Sequence, residues 1–205
     1  MDEKDKLKMP ARPVILLLPD RRNWAFDFHC RSLILRLRDE FDFVVRYSNE
    51  KPDLAAVRFD VVVVFFWYYQ SDCLKRLDSN RIVTVVSDWL WREASYGELS
   101  PSEFVGLYLG NSGIVTTPAT RLLDVLRSEK PDTYLCPHGY EPAIFYPSRR
   151  NWPTLRIGWV GNPDSEVKGL YDVLLPACSG RFSFHYTGGD RSRWQVARFY
   201  RSVDV

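Results

Sequence analysis

The sequence predicts an α/β chain, with a Rossmann-like domain on a parallel sheet followed by the beginning of a second Rossmann-like domain. Three observations carry this. Short, wholly apolar runs bounded by Pro, Asp or Gly have the length and composition of strands buried on both faces. Between them lie stretches in which apolar residues recur with the 3.6-residue period of helices. After a break at 147–153 that carries two prolines, two arginines and no apolar periodicity, the strand and helix rhythm starts again.

The elements follow in order. Residues 1–12 are charged, lack the apolar core of a secretion signal, and read as a tail. Val14-Ile-Leu-Leu-Leu18, stopped by Pro19-Asp20, is the first strand. A helix follows, its stripe made of Phe26, Cys30, Leu33, Ile34, Leu37 and Phe41, with Arg31, Arg36, Arg38 and Asp39 opposite. Residues 43–45 read as the second strand, 61–69 (after Asp60) as the third, and 81–86 as the fourth. The run 113–117 is a strand that leads into a helix over 118–126, where Thr117 suits the cap, Pro118 the first helical position, and Ala119, Leu122, Leu123 and Leu126 one face. Residues 133–136 close the first domain, 13–147. Past the linker at 148–153, the donor-side domain at 154–205 offers a strand at 155–160 and a helix at 168–178 with Leu170, Val173, Leu174 and Ala177 inward. A strand at 182–186 follows, and 202–205 has the look of a strand as it begins. This stretch is shorter than the roughly 60 residues at which an open α/β unit is already marginal.

Composition narrows the function. With 205 residues, 28 Lys and Arg against 26 Asp and Glu, the net charge is +2, which is not the footprint of a nucleic-acid binder. A hydrophobic share of 45% supplies a core and excludes general disorder. The longest apolar run, 61–69, falls far short of the about 20 residues of a membrane-spanning helix. The four cysteines are far apart with no C-x-x-C spacing, which reads as a reducing, cytoplasmic setting. His29, His138 and His185 are isolated, with no second ligand three or four residues away, so no metal site is expected. No Gly-x-Ser-x-Gly elbow is present.

The most informative stretch is Gly158-Trp-Val-Gly161-Asn-Pro-Asp-Ser-Glu-Val-Lys168-Gly169-Leu170. A glycine at a strand end, a short polar loop and a lysine near a helix start gather backbone N–H groups and a cation, a combination that attracts phosphate. Taken alone it also reads as an ordinary strand-to-helix turn, and its spacing fits neither a P-loop nor a Gly-x-Gly-x-x-Gly fingerprint.

Four stretches in this order and spacing resemble the retaining glycosyltransferases of family 4, which have the two-domain GT-B fold. Asn23-Trp-Ala-Phe-Asp27 is similar to the loop and helix start where that family places its acceptor. Cys136-Pro-His-Gly-Tyr-Glu-Pro-Ala-Ile-Phe-Tyr-Pro147 resembles the segment joining its two domains. Residues 157–169 resemble its donor-phosphate loop, and Phe199-Tyr-Arg-Ser-Val-Asp204 its Phe-Tyr-x-x-x-Asp segment. The resemblance implies a GT-B-like fold and a nucleotide-diphosphate sugar as donor substrate, with no cofactor and no metal. It implies that Gly161, Asn162 and Lys168 meet the donor phosphates. Asn162 stands where the family usually has an arginine. It further implies an acceptor site including Arg22, Asn23, Trp24 and Trp89, with Arg21 and Arg22 suited to an anionic or lipid-phosphate acceptor. Many relatives end the strand matching 81–86 with a histidine facing the sugar. Here Ser87 or Val86 takes that place, and Asp88 remains as the catalytic candidate, with helix capping as its competing role.

The family's paired glutamates lie beyond the last matching segment, so the 205-residue chain by itself is expected to be inactive or weak, whatever the parent does. Polysaccharide or glycoconjugate synthesis, with a sugar, glycolipid or other glycan as acceptor and peripheral contact at the inner face of the membrane, belongs to the same implication. The competing class is a non-catalytic acceptor-binding or scaffold protein that self-associates through the open sheet edge of an incomplete second domain. An unrelated nucleotide-binding Rossmann protein is the third.

Overall fold

Val14-Ile-Leu-Leu-Leu18 has no polar side chain, so it is stable only where both faces are covered, and it forms β1 (Val14–Leu18) inside a sheet. The computed structural model describes residues 12–147, 152–188 and 191–204. The chain divides into two compact units after His138. Residues 139–147, read from the sequence as the end of the first domain, therefore group with the second unit, and Arg201 Nη1 donates to Ile144 O within it (3.0 Å). Of the expected linker, 148–151 lies outside the described residues, as does 1–11 of the expected tail.

In the first unit, β1, β2 (Asp42–Val45), β3 (Val61–Val64), β4 (Ile82–Val85), β5 (Ile114–Thr117) and β6 (Thr133–Leu135) form one wholly parallel sheet in the order β2-β1-β3-β4-β5-β6. This is a doubly wound α/β order of the 2-1-3-4-5 kind, and its direction reverses between β1 and β3. On one face Leu16, Leu18, Val62, Val64 and Ile82 pack with Leu54, Phe59 and Leu74. On the other, Leu17 and Phe65 pack with Cys30 of α1 (Ala25–Leu37), and Ile15, Phe43, Val63 and Val85 lie against them. A third cluster of Trp67, Val86, Trp91, Phe104, Leu109, Val115 and Leu126 surrounds the segments that follow β3 and β4.

Several expected boundaries shift. The third strand stops at Val64, because its aromatic continuation turns: Phe65 N donates to Leu18 O and Tyr69 N to Phe66 O. Trp67 then packs edge-on against Phe104, with ring centroids 4.9 Å apart. The helix expected from 118 is α4 (Thr120–Glu129), with Ala119 at its cap; Thr117 is a strand residue whose hydroxyl caps nothing. Between β3 and β5 lie two helices that the apolar pattern left unread. One is α2 (Asp72–Arg76), capped by Ser71, and the other is α3 (Pro101–Phe104), opened by a Ser100/Glu103 capping box and continued by a π-turn over Val105–Leu109.

The second unit pairs β7 (Arg156–Gly161) with β8 (Ser183–Gly188) in parallel, Arg156 opposite Ser183 and Gly161 opposite Gly188. The helix expected over 168–178 is broken at its start. A 3₁₀ turn at Glu166–Lys168 ends on Gly169 (φ 59°), a left-handed position suited to glycine, and a π-turn at Leu170–Leu174 then runs into α5 (Leu175–Cys178). Leu170 is buried as expected, but Val173 is outward. A final helix, α6 (Arg193–Tyr200), starts on a Ser192/Gln195 capping box. Its Phe199 and the following Val203 lie over Gly158, where an added Cβ would fall 2.6 Å from Val203 Cγ2. Among the described residues, no helix is long and apolar enough to cross a membrane.

Candidate functional site

The loop after β1 lies at the C-terminal end of the parallel strands, beside the reversal of strand order, where doubly wound sheets take ligands. Asn23 has a left-handed backbone (φ 57°), a conformation asparagine tolerates better than most residues. That bend aims its N–H at Asp27 Oδ2 (2.8 Å) in the first turn of α1. Asp27 is 1% exposed and also accepts from Arg31 Nη2 (2.6 Å) and from the Tyr47 hydroxyl (2.8 Å). Burial first, and then this hydrogen bond, raise the Tyr47 pKa above its ordinary value. Asn23 Oδ1 accepts from the same Arg31 guanidinium, at 3.1 Å. Asp27 thus fixes the loop from behind, a role that the sequence did not disclose because Tyr47 lies 20 residues away.

The acceptor candidates on this loop differ in what they leave open. Arg22 is paired with Glu50 (Nε to Oε1 2.9 Å) and lies over the Tyr47 ring at 4.3 Å. Trp24 stays partly open, with the Arg21 guanidinium 4.8 Å from its ring centre. The residue missed from sequence is Asp20: its Oδ1 is buried without a hydrogen-bond partner, while Oδ2 lies 3.4 Å from Arg21 Nε. Its signal was an acid at the end of a wholly apolar strand, read there only as a stop.

After β4 stand Ser87, Asp88 and Trp89. Asp88 Oδ1 accepts from the Trp67 indole (3.1 Å) and from Leu90 N (3.2 Å), so it ties the loop after β3 to the loop after β4. Trp89 stands at the cap of the 3₁₀ turn Leu90–Arg92, which no side chain caps; the Asp88 bond to Leu90 N is a local turn two residues long. Trp89 is partly buried beside Trp91 (5.5 Å), with Arg92 and Arg121 near its ring (4.8 and 5.9 Å). Ser87 is half-buried, and none of the described hydrogen bonds includes its hydroxyl.

Two histidines far apart in sequence meet in this unit. The His29 and His138 rings lie 4.6 Å apart, and His29 is half-buried. Burial, and after it the neighbouring His138, lower the His29 pKa; partial burial lowers that of His138. Among the described residues, no group of three or more His, Cys, Asp or Glu side chains is placed to hold a metal ion.

In the second unit, Gly161 is the last residue of β7, not part of the loop after it. An added Cβ there would fall 2.6 Å from Trp159 Cζ2, so the space above this glycine is filled by the unit's own indole. Asn162 makes a local turn, its Oδ1 accepting from Asp164 N and its main-chain oxygen from Ser165 N, both at 3.2 Å. Lys168 is exposed one residue before the left-handed Gly169, and no described ion pair includes it. Asp164 and Glu166, exposed in the same loop, oppose its charge. Asn162 and Lys168 therefore share the loop after β7, Gly161 ends the strand before it under the Trp159 ring, and the acceptor and catalytic candidates lie in the first unit. Neither a family model nor a curated protein matches this chain.

Proposed function

We propose that this chain carries the acceptor side and the donor-phosphate loop of a nucleotide-sugar-dependent glycosyltransferase of the family 4, GT-B type, acting in polysaccharide or glycoconjugate synthesis. The observation that carries this reading is positional. In each unit the candidate loop follows the C-terminal end of a parallel strand, the end at which open α/β sheets bind ligands. In the second unit that loop holds an exposed ammonium, Lys168, ahead of a helical segment. In the first it holds a half-open Trp24, a ring of the kind that receives a sugar face.

The chemistry that follows is transfer by positioning. Trp24 and the loop around it hold a glycan acceptor, Lys168 and the main-chain N–H groups past Gly161 pair with the donor diphosphate as it departs, and the reaction gains from electrostatic stabilisation of that leaving group. Asp88, hydrogen-bonded to Trp67, acts here as a positioning residue that holds Trp89 and Ser87 at the end of β4.

The test is thermal unfolding with UDP, GDP and ADP, repeated with NAD. A nucleoside diphosphate at 100 times its Kd stabilises by about 2.7 kcal/mol, and Lys168→Ala should remove that shift. A chain stabilised by NAD and indifferent to all three diphosphates is instead a dinucleotide-binding protein. The second reading, a non-catalytic acceptor-binding or scaffold protein, is favoured by the structural engagement of Asp88 and by the two acids beside Lys168. It predicts glycan binding with no response to nucleotide.

A further inference from the structure

The two arginines that the sequence offers to an anionic acceptor are both neutralised by the fold. Arg21 Nε lies 3.4 Å from Asp20 Oδ2, and Arg22 Nε donates to Glu50 Oε1 (2.9 Å). Two other arginines on the first sheet are not. Arg92 closes the 3₁₀ turn that follows β4, and Arg121 stands in the first turn of α4, after β5. Because β4 and β5 are parallel neighbours, both segments leave the sheet at its C-terminal end, the end at which such sheets bind ligands. Both side chains are exposed, and none of the described ion pairs includes either of them.

An indole gathers them. The Arg92 guanidinium lies 4.8 Å from the centre of the Trp89 ring and 4.9 Å from that of Trp91, and the Arg121 guanidinium lies 5.9 Å from Trp89. A ring attracts a guanidinium through its quadrupole while leaving the planar fork of N–H donors free for oxygen ligands. Two cations held to one ring repel each other, and an anion between them relieves that repulsion. The start of α4 adds donors of the same kind. Its cap residue, Ala119, has no side-chain acceptor, its first turn holds no acid, and the amides of Thr120 and Arg121 have no side-chain cap.

We infer that Arg92 and Arg121, with the first amides of α4, form a binding subsite for a phosphate monoester, and that Trp89 is the positioning residue that brings the two guanidiniums together. The donor set selects the ligand class. Two guanidinium forks and two amides exceed what the two oxygens and single charge of a carboxylate can engage, whereas a phosphoryl group offers three oxygens and close to two charges. On the nucleotide-sugar reading, the phosphoryl group belongs to the acceptor, which is then a phosphorylated glycan, and the Trp89 ring carries guanidinium in place of a sugar face. That assignment to the acceptor rests on the reading; the subsite does not, and its test contains no nucleotide.

The test is a residue-resolved NMR titration of the 205-residue chain with inorganic phosphate, glucose 6-phosphate, glucuronate and glucose, at an ionic strength held constant with sodium chloride. With both phosphates, the Arg92 and Arg121 Nε–Hε signals and the Thr120 amide should move along one saturable curve. Glucuronate should bind at least about threefold more weakly, and glucose should move none of the three signals. Arg92→Gln and Arg121→Gln should each weaken phosphate binding at least about tenfold, while Arg58→Gln, which removes an exposed charge ahead of β3, should stay within about twofold. Trp89→Leu should weaken it at least about threefold, and Trp89→Phe, which keeps a ring face, should recover most of that loss. The β1 amides report folding in every variant. Equal losses in the two Trp89 variants overturn its positioning role. Shifts centred on Arg21 and Arg22, shifts that sodium chloride alone reproduces, or tighter binding of glucuronate overturn the subsite. Saturation here in a chain that no nucleoside diphosphate stabilises keeps the subsite and breaks the transferase reading; diphosphate stabilisation without saturation here does the reverse.

Discussion

The two units are written in the same strand and helix grammar, yet they bury their strands very differently. In β1 the residues Leu16, Leu17 and Leu18 are at most 1% exposed, whereas every residue of β7 is half-buried. Local sequence contributes, since β1 is wholly apolar while β7 carries Arg156 and two glycines. Coverage adds to it: β1 lies between β2 and β3 with helix or turn packing on both faces, while β7 has one strand neighbour among the described residues. A strand's contribution to stability thus depends on the number of neighbours the topology assigns it, and a two-stranded parallel pair is marginal without more cover.

The strongest way to break this comparison is a matched pair of truncations. Leu16→Ala should cost about 2–5 kcal/mol by leaving a cavity between two covered faces, and Ile157→Ala under about 1.5 kcal/mol, because its side chain keeps water contact in the folded state. Equal losses in urea unfolding followed separately in each unit would show that strand coverage is not the controlling variable.

Asp27→Ala comes next. It leaves the Tyr47 hydroxyl and the Asn23 N–H without their acceptor and should destabilise the first unit by about 2–3 kcal/mol. Among the described residues nothing equivalent fixes the loop after β7, so Asn162→Ala should cost under about 1 kcal/mol in the second.

A pH series sharpens the contrast further. His29 and His138 titrate below the ordinary value of 6.5 when folded, so the unfolded chain binds their protons more readily. The stability they contribute is complete above that value and is lost as pH falls through it and below. Unfolding at about pH 7.5 and about pH 5 should show a loss in the first unit that the double variant His29→Gln, His138→Gln reduces; an unchanged pH dependence in that variant would assign the loss to carboxylates.

The smallest effect on stability is expected at Lys168→Ala, within about ±0.5 kcal/mol, because the side chain is exposed and unpaired. Its consequence should appear in diphosphate binding alone.

Much of the fold was legible because strand identity is local here. Runs such as 14–18 and 61–64 are wholly apolar and read as buried, and their alternation with helical periods fixes the α/β class. The aromatic run at 65–69 misled for the same reason. It continues the apolar pattern, but the chain turns there, with Tyr69 N donating to Phe66 O, and Trp67 gathers with Phe104 and Tyr108. Helices α2 and α3 escaped because each is brief and signalled by its cap, Ser71 or Ser100 with Glu103, more than by an apolar stripe.

The candidate site divides along the same line. Asn162 and Lys168 reach one loop, and Gly161 the strand end before it, because they are close in sequence. What each group does was decided at a distance. Asp88 meets Trp67 from 21 residues away, and Arg22 meets Glu50 from 28. His29 meets His138 across most of the first unit. The Trp159 ring covers Gly161 through side-chain packing that spacing does not encode.

The sequence by itself determined the regions in which the strands lie, that they alternate with helices as a parallel sheet requires, and that the pattern starts a second time after 153. These follow from backbone hydrogen bonding and the cost of wetting apolar runs, which act over a few residues. The tertiary structure alone decided the strand order, the reversal beside Asp20, the approach of Arg92 and Arg121 to one Trp89 ring, and which polar groups are satisfied. Those depend on pairings between segments that the chain holds tens of residues apart, and only a folded sheet brings them within hydrogen-bonding distance.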